Sequence, residues 1–174
     1  MADTDEPTAT PGDPSPGAPM PDEHNSTTTR EEIPAPPEEV FAVLIDPATY
    51  PDWLVGARRI RAIDERWPAV GSSFQHTIGW GPARLQGSTS VRRCTPPTEL
   101  VLGAGMGPLG EASVRFRLRP SGGGTVVELQ ELPARGPARW ADRVLRPAVR
   151  MGLWGRNAAS LGALSALVAR RGGG

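Results

Sequence analysis

Residues Ile33 to Trp53 read IPAPPEEVFAVLIDPATYPDW, and the fold depends on how this stretch is parsed. It opens as the end of a strand, which Pro34, Pro36 and Pro37 stop. Pro37 suits the first turn of a helix, where its missing N–H would have had no partner in any case. Glu38 and Glu39 complement the positive helix N-terminus. Val40, Phe41, Val43 and Leu44 then recur at helical spacing and form one apolar face. Asp46-Pro47 ends that helix, because a residue before proline is pushed out of the α region. Pro47 to Trp53 is a second, very short helix or turn, with Trp53 tucked inward.

Outward from this stretch the pattern is β. On its N-terminal side, Ser26 to Ile33 is rich in threonine and reads as the first strand. On its C-terminal side the second strand is Val55 to Ile63, with Ile60 among Arg58, Arg59 and Arg61. A third, near 72–78, puts Phe74, His76 and Ile78 on one face. Gly79-Trp80-Gly81-Pro82 is a hairpin turn. The fourth strand, from Ala83 to about Arg93, shows Leu85, Gly87, Thr89 and Val91 on one face. The fifth is Glu99 to Leu102, and a glycine-rich loop, Gly103 to Gly110, follows with Met106 and Leu109. In the sixth, Ala112 to Arg119, Val114, Phe116 and Leu118 alternate with arginines, which predicts one buried and one wet face. The seventh, Thr125 to Leu132, puts Val127, Leu129 and Glu131 together.

After Pro133 the period becomes helical. Trp140, Val144, Pro147, Met151, Trp154, Ala158 and Leu161 fall on one predicted face. Pro147 is expected to interrupt the segment, giving a piece near 137–146 and a long helix near 148–169. Gly152, Gly155 and Gly162 weaken the helix but would thin it for close approach to a sheet or ligand. Strands joined by short turns make an antiparallel sheet with one buried face, and the long helix is its natural cover.

Composition narrows the classes. Only 38% of residues are hydrophobic, so part of the chain should lie outside the core. That part is residues 1–25, acidic, proline-rich and without an aromatic residue, which read as a disordered tail; the domain is 26–171. The zero net charge hides an asymmetry. The tail holds six acids and no basic residue, so the remainder carries 13 acids against 19 arginines, a net charge of +6. The lone cysteine, Cys94, excludes an internal disulfide and fits a reducing compartment. There is no apolar run long enough to span a bilayer and no secretory signal pattern, so the expected location is cytoplasmic. No dinucleotide fingerprint or P-loop occurs. Two histidines and one cysteine give no metal ligand set. The expectation is therefore no cofactor, no metal and no nucleic-acid partner.

Several motifs together resemble the helix-grip superfamily, and within it the polyketide cyclase/dehydrase-like branch. They are Ile33-x-Ala35-Pro36-x-Glu38-x-Val40-Phe41, Asp46-Pro47 and Tyr50-x-x-Trp53. Gly71-x-x-Phe74, Pro97-x-x-Leu100 and Gly124-Thr125-x-Val127 add to them. The resemblance covers about residues 27–170. It implies an α+β fold: a seven-stranded antiparallel sheet curved around a long C-terminal helix, two short helices after the first strand, and a cavity between sheet and helix. It implies a small hydrophobic or aromatic ligand. It carries over no catalytic set.

Candidate residues follow from the predicted faces. His76 is either a general acid or base facing the cavity or a core histidine satisfied by a neighbour. Glu131 is either a dry, proton-holding carboxyl or a residue at the solvent rim. Together they would suit a cyclase, aromatase or dehydratase. Trp53, Phe74, Trp80, Met106, Phe116, Leu129, Trp154 and Leu161 are the expected ligand-lining residues, with Met106 in a candidate lid. The arginine-rich segment 135–150 is either a solvated helix face or a surface for an anionic membrane. Three functions are thus open: a carrier, an enzyme, and a lipid-handling module. Oligomeric state is not legible.

Overall fold

The structure, a computed structural model, describes residues 27–78, 85–105, 111–135 and 146–173. The expected tail, the turn at Trp80, Met106 with its loop, and the helical piece before Arg146 lie outside the described residues.

Strand β1 is Thr27–Ile33 and helix α1 is Pro37–Leu44. A 3₁₀ turn at Pro47–Thr49 leads into the single helical turn α2, Tyr50–Trp53. Six strands follow: β2 (Ala57–Ile63), β3 (Ser73–Ile78), β4 (Leu85–Thr95), β5 (Glu99–Gly105), β6 (Glu111–Ser121) and β7 (Gly124–Arg135). Helix α3, Arg146–Gly172, closes the order. The strands form one antiparallel sheet in the order β1-β7-β6-β5-β4-β3-β2. The helix packs along β1, so that edge of the sheet is covered and β2 is the other edge. This is the helix-grip arrangement that the opening stretch implies.

Prolines and side-chain hydrogen bonds fix that stretch. Val40, Phe41, Val43 and Leu44 are all buried. The Asp46 carboxylate accepts from the Ala48 N–H at 3.1 Å and starts the 3₁₀ turn, the capping role expected of that residue type. Thr49 Oγ1 lies 3.1 Å from the Val43 carbonyl and 2.8 Å from that of Asp46, and accepts from Trp53 Nε1–H at 3.1 Å. The Tyr50 hydroxyl donates to the Leu44 carbonyl at 2.9 Å. Trp53 is thereby held inward at 2% exposure. Burial, and secondarily Asp46, pushes the Tyr50 hydroxyl pKa far up, so it stays a donor.

Four expectations need correction. Strand β5 runs on to Gly105, because Gly103, Ala104 and Gly105 pair with Ser113, Ala112 and Glu111 instead of forming loop. Arg115 does not stand on a wet face: it is 3% exposed, with Glu99 Oε1 3.5 Å away and Gln130 Oε1 3.5 Å away. Arg119 is exposed, as the alternation predicts, and Arg117 is half-exposed with its Nε 3.4 Å from Glu99 Oε1. Two of the three helix glycines expected to thin a contact do not. Gly155 and Gly162 are exposed and face open space. Among the described side chains of α3 the buried stripe is Asn157, Ser160, Leu161, Leu164, Leu167 and Val168, which shares Leu161 but not Ala158 with the predicted one.

Candidate functional site

The register of the sheet sorts its inner face into cross-strand rows. One row is Cys94, Leu100, Phe116, Leu129 and Thr29. The next is Val91, Leu102, Val114 and Glu131, then Phe74, Thr89, Ala104 and Ala112, then His76 beside Gly87. Along β4, β5 and β6 the side chains are large toward one end and small toward the other, whereas on β3 Phe74 brings the aromatic cluster against the small-residue rows. The small end is where β3, β5 and β7 finish and where α3 begins.

The large end is closed. Trp53, Phe74, Phe116 and Leu129 are 1–2% exposed and Leu161 is 0% exposed. Their rings interlock: Trp53 and Phe116 centroids lie 6.1 Å apart, Tyr50 and Phe74 5.1 Å, and Trp67 and Phe74 4.9 Å, all edge-on. Each fully buried side chain of this size contributes roughly 1.5–3 kcal/mol, so parting several of them for a ligand would forfeit most of a small domain's stability. These five expected lining residues are packed core here. Trp154 lies on α3 with its side chain outside the described part.

The small end is different. Gly87, Ala104 and Val114 are half-buried, and Ala112 and Thr89 are 6% exposed. None of Gly87, Thr89, Ala104 and Ala112 belongs to the continuous apolar cluster. Gly87 is required by close approach. A Cβ there would lie 2.3 Å from the Gly105 carbonyl oxygen and 2.9 Å from His76 Nε2.

His76 stands on this inner face at 7% exposure. Its Nδ1 is 3.5 Å from Thr89 Oγ1, at the long limit of a hydrogen bond, and its ring is 5.8 Å from that of Phe74. Burial, and secondarily the Arg61 guanidinium, holds its pKa below the ordinary histidine value. It is therefore a neutral imidazole at pH 7, able to accept or donate one hydrogen bond at each nitrogen.

Glu131 has its own partners. Its Oε2 accepts from Arg156 Nη2 at 2.5 Å and from Asn157 Nδ2 at 3.0 Å, and Arg156 also reaches Asn157 Oδ1 at 3.2 Å. The Glu131 side chain is 10% exposed and that of Arg156 27%. This bridge pins α3 to β7. A second tie runs from the Val55 N–H to Ser160 Oγ at 3.0 Å. His76 and Glu131 share no partner, and β4, β5 and β6 lie between their strands. At the usual strand spacing that is about 19 Å along the sheet.

The sequence reading did not single out Arg156, Asn157 or Ser160. A signal was present: Asn157, Ser160, Leu161, Leu164 and Val168 also follow helical spacing, and two polar members of such a stripe call for polar partners. Among the described residues, no group of His, Cys, Asp and Glu side chains could hold a metal ion. No helix among them is long and apolar enough to cross a membrane. Most of the segment 135–150 lies outside the described residues.

The sheet, the two short helices and the covering helix define the class: a helix-grip protein with a graded inner face. The chain belongs to the family described as polyketide cyclase / dehydrase and lipid transport, which it matches over residues 24–169. Among curated proteins none matches it. Among solved structures it is similar to TTHA0849 from Thermus thermophilus, with a TM-score of 0.68 at 16% identity, covering 84% of this chain and 98% of that one. It is also similar to the di-domain ARO/CYC protein StfQ from the steffimycin biosynthetic pathway, with a TM-score of 0.68 at 15% identity. That likeness covers 86% of this chain and 52% of StfQ, so the chain spans about half of it. Ara h 8.0201 is similar at a TM-score of 0.59 and 15% identity, over 83% of this chain and 97% of that chain. At these identities the likenesses establish the fold.

Proposed function

We propose that this protein binds a small hydrophobic or aromatic molecule between the sheet and α3, at the small-residue end of the inner face. The observation that carries this is the gradation itself. On β4 to β6 large side chains interlock at one end, while glycine and alanine occupy the rows at the other, bounded on β3 by Phe74 and a neutral histidine. Pockets for small organic ligands are apolar with a few placed polar groups, and Ala104, Ala112, Val114, Thr89 and His76 supply that mixture. Family membership supports the same reading, since cyclases, dehydrases and lipid carriers all enclose an apolar molecule. His76 would orient a carbonyl or hydroxyl of the ligand. A paired proton transfer by His76 and Glu131 is not part of the proposal, because Glu131 is committed to Arg156 and Asn157.

Native mass spectrometry of the protein purified from its own host is the direct test. The expected result is a mass excess that is lost on unfolding. An apo mass alone, together with no fluorescence gain from the neutral probe N-phenylnaphthylamine, would overturn the reading.

A further inference from the structure

Strand β2 is unlike the other strands. It is the edge of the sheet, it carries Arg58, Arg59 and Arg61, and its pairing with β3 slips twice, between Ala57 and Arg59 and between Arg61 and Ile63. The second slip centres on Ala62, whose φ of 38° lies in the left-handed region. A regular strand sends neighbouring side chains to opposite faces, whereas bulges re-aim them. Here Arg58, Arg59, Ile60, Arg61 and Ile63 line one open groove of about 440 Å³, whose other wall includes Pro51.

The charge of this groove is one-sided. No acidic side chain lines it. Arg58 has an interaction elsewhere, so the argument rests on Arg59 and Arg61. Among the described residues, no carboxylate forms an ion pair with either. Arg61 Nε is buried without a hydrogen-bond partner, the condition in which a guanidinium N–H is most costly to leave unmade. The groove also has an apolar wall, formed by Pro51, Ile60 and Ile63. Val55, Ile63 and Val70, at 39%, 46% and 64% exposure, are the exposed large apolar side chains among the described residues, and they lie within β2 or on either side of it in the sequence.

We propose that this groove is a binding site for a small amphipathic anion, a molecule joining a carboxylate or phosphate group to an apolar body. Arg59 and Arg61 hold the anionic group, with Arg61 Nε–H gaining its missing acceptor, while Ile60, Ile63 and Pro51 cover the apolar part. The site lies at the sheet edge, on the strand that pairs with that of His76, and Arg61 is close enough to His76 to influence its charge, so the amide shifts must tell the groove from the interior. The same chemistry can come from a free acid or from a lipid headgroup.

The full chain is titrated with naphthoate and with its neutral analogue naphthalenemethanol, and followed by amide nitrogen–proton correlation spectra. Sedimentation with phosphatidylcholine vesicles, with and without phosphatidylglycerol, runs in parallel. Naphthoate should move the amides of Ala48, Ile60 and Ile63 and bind about tenfold tighter than the alcohol, a difference of about 1.4 kcal/mol. That preference should vanish in Arg59→Gln/Arg61→Gln. Arg59→Gln alone, an exposed change that leaves the fold intact, should weaken it severalfold. Vesicle binding that needs phosphatidylglycerol and is lost in the double variant assigns the site to a headgroup. Anion binding and vesicle binding both unchanged in the two variants would overturn the proposal. So would naphthoate shifts confined to Ala104, Ala112 and Val114, which would instead support the interior site.

Discussion

His76 shows what one residue can do when its surroundings withhold charge. Burial is the larger cause of its lowered pKa and Arg61 the smaller, so the folded protein resists a proton that the unfolded chain accepts near pH 6.5. The sign follows from linkage. Above that pH both states are neutral and His76 adds no pH dependence. As pH falls below it the unfolded state binds the proton first, and stability is lost until the folded pKa is passed. The loss has a limiting slope of about 1.4 kcal/mol per pH unit. In His76→Gln that contribution is absent. Denaturant midpoints measured against pH should therefore show wild type falling relative to the variant below pH 6.5, and a gap that does not change with pH would refute the assignment. The face of His76 was legible from its alternation with Gln75 and Thr77. Its depressed basicity was legible only in part: burial, the larger cause, follows from the face, whereas Arg61 comes near it only through the pairing of β2 with β3. Glu131 was placed on the correct face as well. Its partners come from a helix turn 25 residues further on, and periodicity alone does not report which side chains of two elements meet.

At the scale of elements, residues 33–53 were the most readable, because their rules are local. Proline stops, an Asp cap and four apolar residues at helical spacing act within a few residues, and the structure places each accordingly. Strand β5 was cut short because Gly103, Ala104 and Gly105 look like loop, although cross-strand pairing with β6 holds them extended. Helix α3 was rotated for a related reason. Its tryptophan and methionine were weighed above Asn157 and Ser160, whereas the Glu131 carboxylate and the Val55 N–H draw those polar residues inward. That rotation turns Gly155 and Gly162 outward and reverses the expectation for them. A Cβ at Gly155 or Gly162 meets nothing within 4 Å, and alanine limits the unfolded chain while favouring helix. Gly155→Ala and Gly162→Ala should each stabilise the protein by about 0.4–1 kcal/mol in denaturant unfolding. A loss of stability in either would show that the helix does approach a neighbour at that point.

For the whole molecule the decisive contrast is between the two ends of the inner face of the sheet. If the small-residue end accepts the ligand, side-chain volume added there must be tolerated by the fold and must compete with the ligand. Packed core behaves in the opposite way: overfilling costs about 1–3 kcal/mol, and truncating a large side chain costs a similar amount or more. Ala112 and Phe116 offer the comparison, since both point to the inner face from β6, two cross-strand rows apart. Ala112→Leu should leave stability within about 1 kcal/mol of wild type and weaken N-phenylnaphthylamine binding by about tenfold or more, because the new side chain occupies the ligand's space. Phe116→Leu should lose roughly 1–3 kcal/mol and bind the probe as wild type does, because it opens the interlocked end formed with Trp53 and not the site. Unfolding midpoints and fluorescence titrations on the same two variants read both quantities. If Ala112→Leu proves the destabilising change and Phe116→Leu the one that alters binding, the ligand lies among the aromatic residues and the assignment of the two ends is reversed.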